Sequence, residues 1–93
     1  MEVADTEVWH VYMVECADGT LYTGVTVDLE RRIHEHNNTK KGAAYTRARR
    51  PVEQVYSATY ASRSLAQKAE WAIKRWPRRH KLELITGDRS PPT

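Results

Sequence analysis

Two tyrosines, Tyr12 and Tyr22, have the residue type and the spacing that could support chemistry. They belong to two short β-prone stretches, HVY at 10–12 and YTG at 22–24, on either side of a turn-forming ADG at 17–19. A phenol hydroxyl can orient water or a phosphate, and it takes part in proton transfer when a neighbour assists it. Two adjacent phenols would make a small polar site, although paired aromatic residues on a sheet usually serve packing alone.

The length of the turn decides whether the two rings meet. A three-residue loop over 17–19, with Gly19 in the left-handed conformation, forms a type I turn with a glycine bulge. This register places Tyr12 opposite Gly24 and puts Tyr12 and Tyr22 on one sheet face as diagonal neighbours. A two-residue turn would shift the pairing by one residue and send the rings to opposite faces. In the first register Gly24 leaves an open space across from Tyr12, where another backbone could approach.

A cation and an imidazole follow on the first predicted helix, which spans 29–38 with Asp28 as its N-cap. Arg32 and His36 are four residues apart, so they stack on one side of this helix, at the border of its apolar stripe. From there they could lean over the sheet that the stripe covers. The alternative is that both are ordinary solvated helix residues.

Glu70 is the one carboxylate in a later predicted helix that is otherwise rich in Lys and Arg. A glutamate among cations is usually a surface ion-pair partner, which contributes under about 1 kcal/mol. It is also the oxygen ligand that a hard divalent cation requires, held on a rigid element beside phosphate-binding charges.

The charge of the chain is strongly polarised. Residues 1–30 contain seven acidic side chains and no Lys or Arg, whereas residues 31–93 contain all fifteen basic side chains and five acidic ones. This asymmetry favours a polyanionic partner such as nucleic acid, the alternative being a solvated surface. The basic residues form two groups: Lys40, Lys41, Arg47, Arg49 and Arg50, then Lys74, Arg75, Arg78, Arg79 and Lys81.

The remaining pattern predicts one small domain. Residues 39–50 show no periodicity and are predicted to form an exposed basic loop, after which Pro51 opens a third strand over 52–60, with alternate residues from Val52 to Ala58 on one face. Ser62 caps the second helix, whose predicted apolar stripe consists of Leu65, Ala69, Ala72, Ile73 and Trp76. Pro77 ends that helix and starts a short one over 78–85. The fold class is therefore α+β, with a small three-stranded antiparallel sheet flanked by helices.

The compartment and the boundaries follow from composition. Cys16 is the single cysteine, which excludes an internal disulfide and suits a reducing compartment. The acidic residues 1–7 have no signal-peptide character, and no stretch approaches the ~18 apolar residues of a membrane span. We therefore expect a cytoplasmic protein with a flexible terminus over 1–7, a domain over 8–86 and a disordered tail over 87–93.

Taken together, these motifs resemble the GIY-YIG nuclease family, from about residue 8 to 85. HVY and YTG stand where the family has its two name-giving motifs, and DLERR at 28–32 and Glu70 follow at the expected distances. The segments YTRARRPV at 45–52 and AIK at 72–74 look like the small stand-alone bacterial proteins of this family, which have no assigned role. His10 and Val11 replace glycine and isoleucine, Val25 replaces a lysine that some members carry, and no asparagine follows Glu70.

The resemblance implies a role for each site residue. Glu70 would hold one Mg²⁺ or Mn²⁺ ion, Arg32 would place its charge against the scissile phosphate, and Tyr12 would be the general base. His36 would relay the proton of Tyr12, and Tyr22 would orient water or phosphate, with Gly24 structural in the site. Contacts to the nucleic-acid backbone are expected from Lys40, Lys41, Arg47, Arg49, Arg50, Lys74 and Arg75.

The expected function is hydrolysis of DNA phosphodiester bonds by a metal-dependent endonuclease, with a structure-specific or repair-related role. Branched, damaged and single-stranded DNA all remain open as substrates. The alternatives are a non-catalytic module that binds nucleic acid and an interaction domain that needs a partner protein for targeting.

Overall fold

The computed structural model describes residues 7–92 and contains a single antiparallel sheet. Its strands are β1 (Trp9–Glu15), β2 (Leu21–Thr26) and β3 (Glu53–Tyr60), in the spatial order β2-β1-β3. The helices are α1 (Leu29–Asn38), α2 (Ala44–Arg47), α3 (Arg63–Arg75) and α4 (Arg78–Thr86). The predicted α+β class is confirmed. No helix in the described part of the chain combines the length and apolar character needed to cross a membrane.

The hairpin between β1 and β2 has the three-residue loop that the sequence predicted. The Cys16 amide donates to the Thr20 carbonyl at 2.8 Å, and Gly19 adopts a left-handed φ of 85°. Tyr12 consequently pairs with Gly24, and Tyr22 with Val14. Side chains on a strand alternate between faces, so this register puts both tyrosines on the same side of the sheet.

One face of the sheet is covered by α1. Asp28 caps this helix by accepting from the Arg31 amide at 3.0 Å, as the sequence predicted. Leu29 and Ile33 pack on a cluster of buried residues from the tyrosine face: Tyr12, Val14, Cys16 and Val52. The first helix thus brings its polar border directly over Tyr12.

The opposite face is covered by α3 and α4. Ser62 caps α3 by accepting from the Leu65 amide, as predicted, and the buried stripe of the helix differs from the prediction at its first position. Ala66, Ala69 and Ile73 are buried, whereas Leu65 is 45% exposed, so the prediction of Leu65 in the core was wrong. The small Ala66 side chain instead takes the first buried position of α3, in the core cluster with Val11 and Met13.

Two predictions about segments between the helices need correction. The alternation predicted for the third strand is broken by a register shift against Met13 and Val14, so that both Val55 and Tyr56 pack on the α3 core. Gln54 is exposed rather than aligned with Tyr56.

The basic segment 39–50 is not simply an exposed loop. It contains the one-turn helix α2, and Gly42 and Thr46 are buried. A Cβ on Gly42 would stand 2.7 Å from the Glu35 carbonyl oxygen, so this glycine lets the segment run directly against α1. This packing could not be predicted from the sequence, because the packing depends on backbone contacts and the segment has no apolar stripe.

The two ends of the chain were expected to be flexible. Residues 1–6 and residue 93 lie outside the described residues. Within 87–92, Arg89 pairs with Glu83 at 2.9 Å and lies over the Trp76 ring, and the Pro92 carbonyl accepts from the Tyr60 hydroxyl at 2.9 Å. These contacts tie the described part of the tail to α4 and β3.

Candidate active site

The side chain of Tyr12 is almost fully buried, at 1% exposure, and lies against Gly24. A Cβ built on Gly24 would stand 2.5 Å from the Tyr12 hydroxyl oxygen and 2.7 Å from its ring carbon Cζ. The sequence predicted an open space at Gly24 for another backbone, and that prediction was wrong, because the Tyr12 ring itself fills the space. Gly24 therefore fixes the position of the phenol.

The Tyr12 hydroxyl is hydrogen-bonded to a buried imidazole. Its oxygen lies 2.6 Å from Nε2 of His36, a residue with no exposed surface. The other ring nitrogen of His36, Nδ1, lies 2.8 Å from the hydroxyl oxygen of Thr46, which is also fully buried. The three residues come from β1, α1 and α2 and form one continuous line of hydrogen bonds.

Burial sets the ionisation of this pair. Desolvation raises the pKa of Tyr12 to about 12, with a hydrogen bond from Arg32 acting in the opposite direction. Desolvation, together with the charge of Arg32, lowers the pKa of His36 to about 4. Both side chains are consequently neutral at pH 7.

Arg32 lies beside the phenol, as its spacing from His36 predicted. Its Nη1 donates to Oε1 of Glu35 at 2.9 Å and to the Lys41 carbonyl at 2.8 Å. Its positive charge is also near enough to lower the pKa of Tyr12 against the effect of burial. The guanidinium keeps part of its surface in solvent, with 27% of its side chain exposed. A fixed cation thus borders Tyr12 at the point where an anion could arrive.

Tyr22 is the centre of a group of rings and cations. Its ring meets the His36 ring edge-on at 5.4 Å between centroids and stacks on Tyr45 at 6.0 Å. The Lys74 ammonium lies 5.8 Å from the centre of the Tyr22 ring, and the Arg49 guanidinium lies over the Tyr45 ring, 3.8 Å from its centre. The second tyrosine is therefore held in place from both α2 and α3.

Glu70 reaches this group from the opposite layer. The core residues of α3 pack on the sheet face away from the tyrosines, yet the charge of Glu70 is near enough to act on Tyr12. Its Oε2 pairs with the Lys74 ammonium at 3.0 Å. Because β2 is an edge strand, this end of α3 can meet the tyrosine face past the strand. The structure therefore brings together Tyr12, Tyr22, Arg32, His36 and Glu70.

A divalent ion at this position would have one protein carboxylate. Within residues 7–92, no group of three or more His, Cys, Asp or Glu side chains is arranged to hold a metal ion. The Glu70 side chain is 20% exposed, so water and a phosphate oxygen would have to supply the other ligands. Mg²⁺ is commonly bound in this way, through one or two carboxylates together with waters and substrate phosphates. Glu70 fits one such ion, provided that the ion displaces the Lys74 ammonium.

The predicted nucleic-acid contacts fall into two sets. Lys40, Lys41 and Arg47 are exposed on the α2 side, and Arg75 is exposed on α3, where it lies over the Trp71 ring. Arg50 differs, because its guanidinium donates to the carbonyls of His36 (2.6 Å), Glu35 (3.3 Å) and Thr39. These bonds satisfy the carbonyls at the end of α1, so Arg50 is committed within the chain.

Sequence reasoning missed Thr46 and Tyr45, which complete the site from α2. Neither stands in a periodic segment, and nothing in a basic loop indicates that Thr46 is buried or that Tyr45 stacks on Tyr22. Glu35, the partner of Arg32, was missed because its spacing of three residues from Arg32 also suits a solvent-exposed pair. A groove of about 480 Å³ on the outer face of α3, beside Lys68 and Trp71, lies away from the paired tyrosines.

Comparison with known proteins places this geometry in a family. The GIY-YIG catalytic domain matches the chain over residues 8–83. The chain belongs to the GIY-YIG family. Two similar curated relatives are the UPF0213 protein DP2720 of Desulfotalea psychrophila and the UPF0213 protein SERP0126 of Staphylococcus epidermidis. The first is 54% identical over 87% of this chain and 74% of its own length. The second is 52% identical over 81% of this chain and 90% of its own length.

Solved structures agree with the GIY-YIG assignment. The solution NMR structure of the UPF0213 protein BH0048 from Bacillus halodurans is 40% identical, covers 85% of this chain and 83% of its own, and superimposes with a TM-score of 0.55. The solution NMR structure of the protein EF2693 from E. faecalis is 33% identical. The match covers 96% of this chain and 97% of that chain, with a TM-score of 0.60. The resemblance noted from the sequence, to small stand-alone bacterial GIY-YIG proteins without an assigned role, is confirmed.

Proposed function

We propose that this GIY-YIG domain is a divalent-metal-dependent DNA endonuclease. The observation that carries the proposal is the hydrogen bond of the buried Tyr12 hydroxyl to the His36 imidazole, within range of the Arg32 charge. A buried phenol with a proton acceptor and an anion-binding cation nearby is suited to activating water next to a phosphate.

Tyr12 would act as the general base together with His36. Since the pKa of Tyr12 is raised to about 12, the phenol is protonated at rest and cannot accept a proton directly. The hydrogen bond to His36 Nε2 gives that proton a destination, so the Tyr12 oxygen can take a proton from water as it passes its own to the imidazole. The Arg32 charge contributes to the low pKa of His36, and an arriving phosphate would offset this charge and make the imidazole more basic.

Arg32 would bind the phosphate on which the water acts. Its bonds to Glu35 and to the Lys41 carbonyl hold the guanidinium in a fixed orientation before substrate arrives. Preorganised charge of this kind stabilises the transition state because no reorientation is needed during the reaction. The Tyr22 hydroxyl would orient the phosphate or the water, with its ring fixed by Tyr45.

Glu70 would hold one Mg²⁺ or Mn²⁺ ion at the edge of the site. When bound, the ion would act as a Lewis acid and neutralise charge on the scissile phosphate. Lys74 would then move from Glu70 towards the DNA backbone, since its side chain is 50% exposed and free to turn outward.

The substrate would be gripped through its phosphates. Lys40, Lys41, Arg47, Lys74 and Arg75 would supply affinity without reading sequence. Branched, damaged or single-stranded DNA is the proposed substrate class, in a repair-related role, and a partner protein could supply targeting. The free thiol of Cys16, which is buried, fits the cytoplasmic location proposed for such an enzyme.

The test is cleavage of labelled branched, single-stranded and linear duplex DNA by the purified chain with Mn²⁺, with Mg²⁺ and with EDTA. We expect cleavage of at least one substrate with either ion, none with EDTA, and none by Tyr12→Phe, which keeps the ring and removes the hydroxyl. Equal cleavage by wild type and Tyr12→Phe would contradict the proposed site.

One observation favours a second candidate, a binding module without catalysis. The lone carboxylate Glu70 is paired with Lys74 and would hold an ion weakly. Salt-sensitive DNA binding without cleavage at millimolar Mn²⁺ on all three substrates would favour this module over the enzyme.

A further inference from the structure

We propose that Thr46 is a positioning residue that fixes the tautomer of His36, so that Nε2 carries a lone pair directed at the Tyr12 hydroxyl. The role of this tautomer in catalysis rests on the nuclease function proposed above. The tautomer itself is a property of the folded protein and can be measured without DNA.

The direction of the hydrogen bonds follows first from the Thr46 end. The Thr46 hydroxyl oxygen lies 2.9 Å from the Ala43 carbonyl oxygen and 2.8 Å from Nδ1 of His36. A carbonyl only accepts, so the single hydroxyl proton of Thr46 must point at Ala43. The hydroxyl oxygen is then left as an acceptor, and the group that donates to it is Nδ1–H of His36.

The Tyr12 end gives the same direction. A neutral imidazole carries one N–H, and if Nδ1 holds it, Nε2 is an acceptor. The Tyr12 hydroxyl, 2.6 Å away, then donates to Nε2. The Arg47 amide also donates to the Ala43 carbonyl at the end of this line. Every group in the line from Tyr12 to Ala43 thus has a partner of the correct type.

The reverse arrangement leaves two defects in a buried site. If Thr46 donated to Nδ1, no proton would lie between its oxygen and the Ala43 carbonyl oxygen, at 2.9 Å. Nε2–H would then donate to the Tyr12 oxygen, and the hydroxyl proton of Tyr12 would lose the imidazole as its acceptor. An unmet buried polar group of this kind costs about 1–3 kcal/mol. Tyr12 could also not give its proton to His36, because Nε2 would already be protonated.

Thr46 is held in place by its own segment. The Arg47 amide donates to the same Ala43 carbonyl at 3.0 Å, and Gly42 packs directly on the backbone of α1 at Glu35 and His36. Arg49 fastens the far end of the segment to the first turn through Asp18, at 3.1 Å. A hydroxyl presented by such a segment has little freedom to follow a different imidazole tautomer.

The first test is the His36 tautomer in the wild-type protein without DNA, read from the ¹⁵N chemical shifts of its ring nitrogens near pH 7. We expect protonated Nδ1 and unprotonated Nε2. The opposite pattern would overturn the proposal, whether or not the protein cleaves DNA.

The second test compares Thr46→Val, which keeps the shape and removes the hydroxyl, with Thr46→Ser, which keeps the hydroxyl. We expect Thr46→Val to lose the single wild-type tautomer and Thr46→Ser to retain it. For cleavage, kcat should fall between about 10- and 10⁴-fold in Thr46→Val with KM nearly unchanged, and stay within about threefold of wild type in Thr46→Ser. Unchanged tautomer and kcat in a folded Thr46→Val would overturn the proposal.

The two tests separate this proposal from the nuclease function. If wild-type protein cleaves no DNA but shows the expected tautomer, the nuclease function fails and the structural role of Thr46 stands. If wild type cleaves and its His36 carries the proton on Nε2, the nuclease function stands and the Thr46 proposal fails. Should Thr46→Val not fold, the wild-type tautomer and the Thr46→Ser comparison still decide.

Discussion

The hydroxyl of Tyr12 occupies the volume in which Gly24 would carry a side chain. A Cβ at position 24 would stand 2.5 Å from the Tyr12 oxygen, closer than real carbon and oxygen atoms approach. The two residues are directly paired across β1 and β2, so the phenol is located by the strand register and by the absence of one methyl group.

Gly24→Ala should therefore displace Tyr12 from His36. The ring is buried and cannot turn away freely, so we expect a loss of about 1–3 kcal/mol in the free energy of unfolding and at least a tenfold loss of cleavage. Urea unfolding and cleavage assays measure the two effects. Gly19→Ala is the control. An alanine at the left-handed φ of 85° lowers stability, but its Cβ would meet open space and displace no other side chain. Similar cleavage losses in both variants would show that Gly24 acts through stability alone.

Glu70→Gln should abolish cleavage and leave DNA binding nearly intact, since it removes the proposed metal ligand without changing the volume of the side chain. Lys74→Met should lower the Mn²⁺ concentration needed for half-maximal cleavage, because the ammonium no longer competes for Glu70 at 3.0 Å. Titrations of Mn²⁺ in cleavage assays measure both effects. Lys68→Met on the outer face of α3 is the matched control and should change neither. Full activity in Glu70→Gln would exclude Glu70 as the ligand.

Stability should depend on pH through His36. Its pKa is about 4 in the folded protein against 6.5 for the ordinary side chain, so the unfolded state binds the proton more readily. The contribution of the neutral imidazole is fully present above pH 6.5 and is lost as pH falls towards 4, by up to about 3 kcal/mol. Urea unfolding of wild type and His36→Gln from pH 4 to 7 measures it, and a constant difference between the two proteins would contradict the low pKa.

Tyr12 should make stability depend on pH in the alkaline range. Burial raises the pKa of Tyr12 to about 12 from an ordinary value of 10, so the folded state favours the neutral phenol. Its contribution to stability is present below pH 10 and is lost as pH rises towards 12. Spectroscopic titration of the tyrosines in wild type and Tyr12→Phe should show one phenol that ionises late. A Tyr12 that ionises near pH 10 would argue against its burial beside His36.

The exposed lysines and the half-buried Arg50 of the basic segment should respond differently to substitution. Replacing Lys40 and Lys41 with alanine should reduce the slope of log Kd against log salt by up to about 1.8, since each phosphate contact contributes about 0.9 for duplex DNA. Arg50→Ala should instead lower the free energy of unfolding by about 1–3 kcal/mol, because carbonyls at the end of α1 lose their donor. Fluorescence anisotropy at several salt concentrations, with urea unfolding of each variant, distinguishes the two outcomes. An unchanged slope in the double lysine variant would mean that these lysines are merely solvated.

Local sequence by itself determined the hairpin and the helix starts, and it reduced the register of the tyrosines to two choices. The ADG turn suits a three-residue loop with a left-handed glycine, which the structure contains, or a two-residue turn, and strand alternation then fixes which side chains share a face. Asp28 and Ser62 cap their helices by accepting from amides three residues ahead, and these cap residues can be identified from their type and position in the sequence. The placement of Arg32 and His36 on one side of α1 follows in the same way from the pitch of the helix.

Only the tertiary structure decided what surrounds these residues. The packing of Tyr12 on Gly24, the burial of Thr46 behind His36 and the use of Arg50 within the chain all join segments that are 10 to 14 residues apart. Such contacts depend on how closely two backbones approach, and no short-range periodicity records that distance. The same holds for Glu70, whose helix packs on the opposite sheet face and reaches the tyrosines because β2 is an edge strand. Spacing along the chain therefore determined which groups the site contains, and packing between layers decided how each of them is held and protonated.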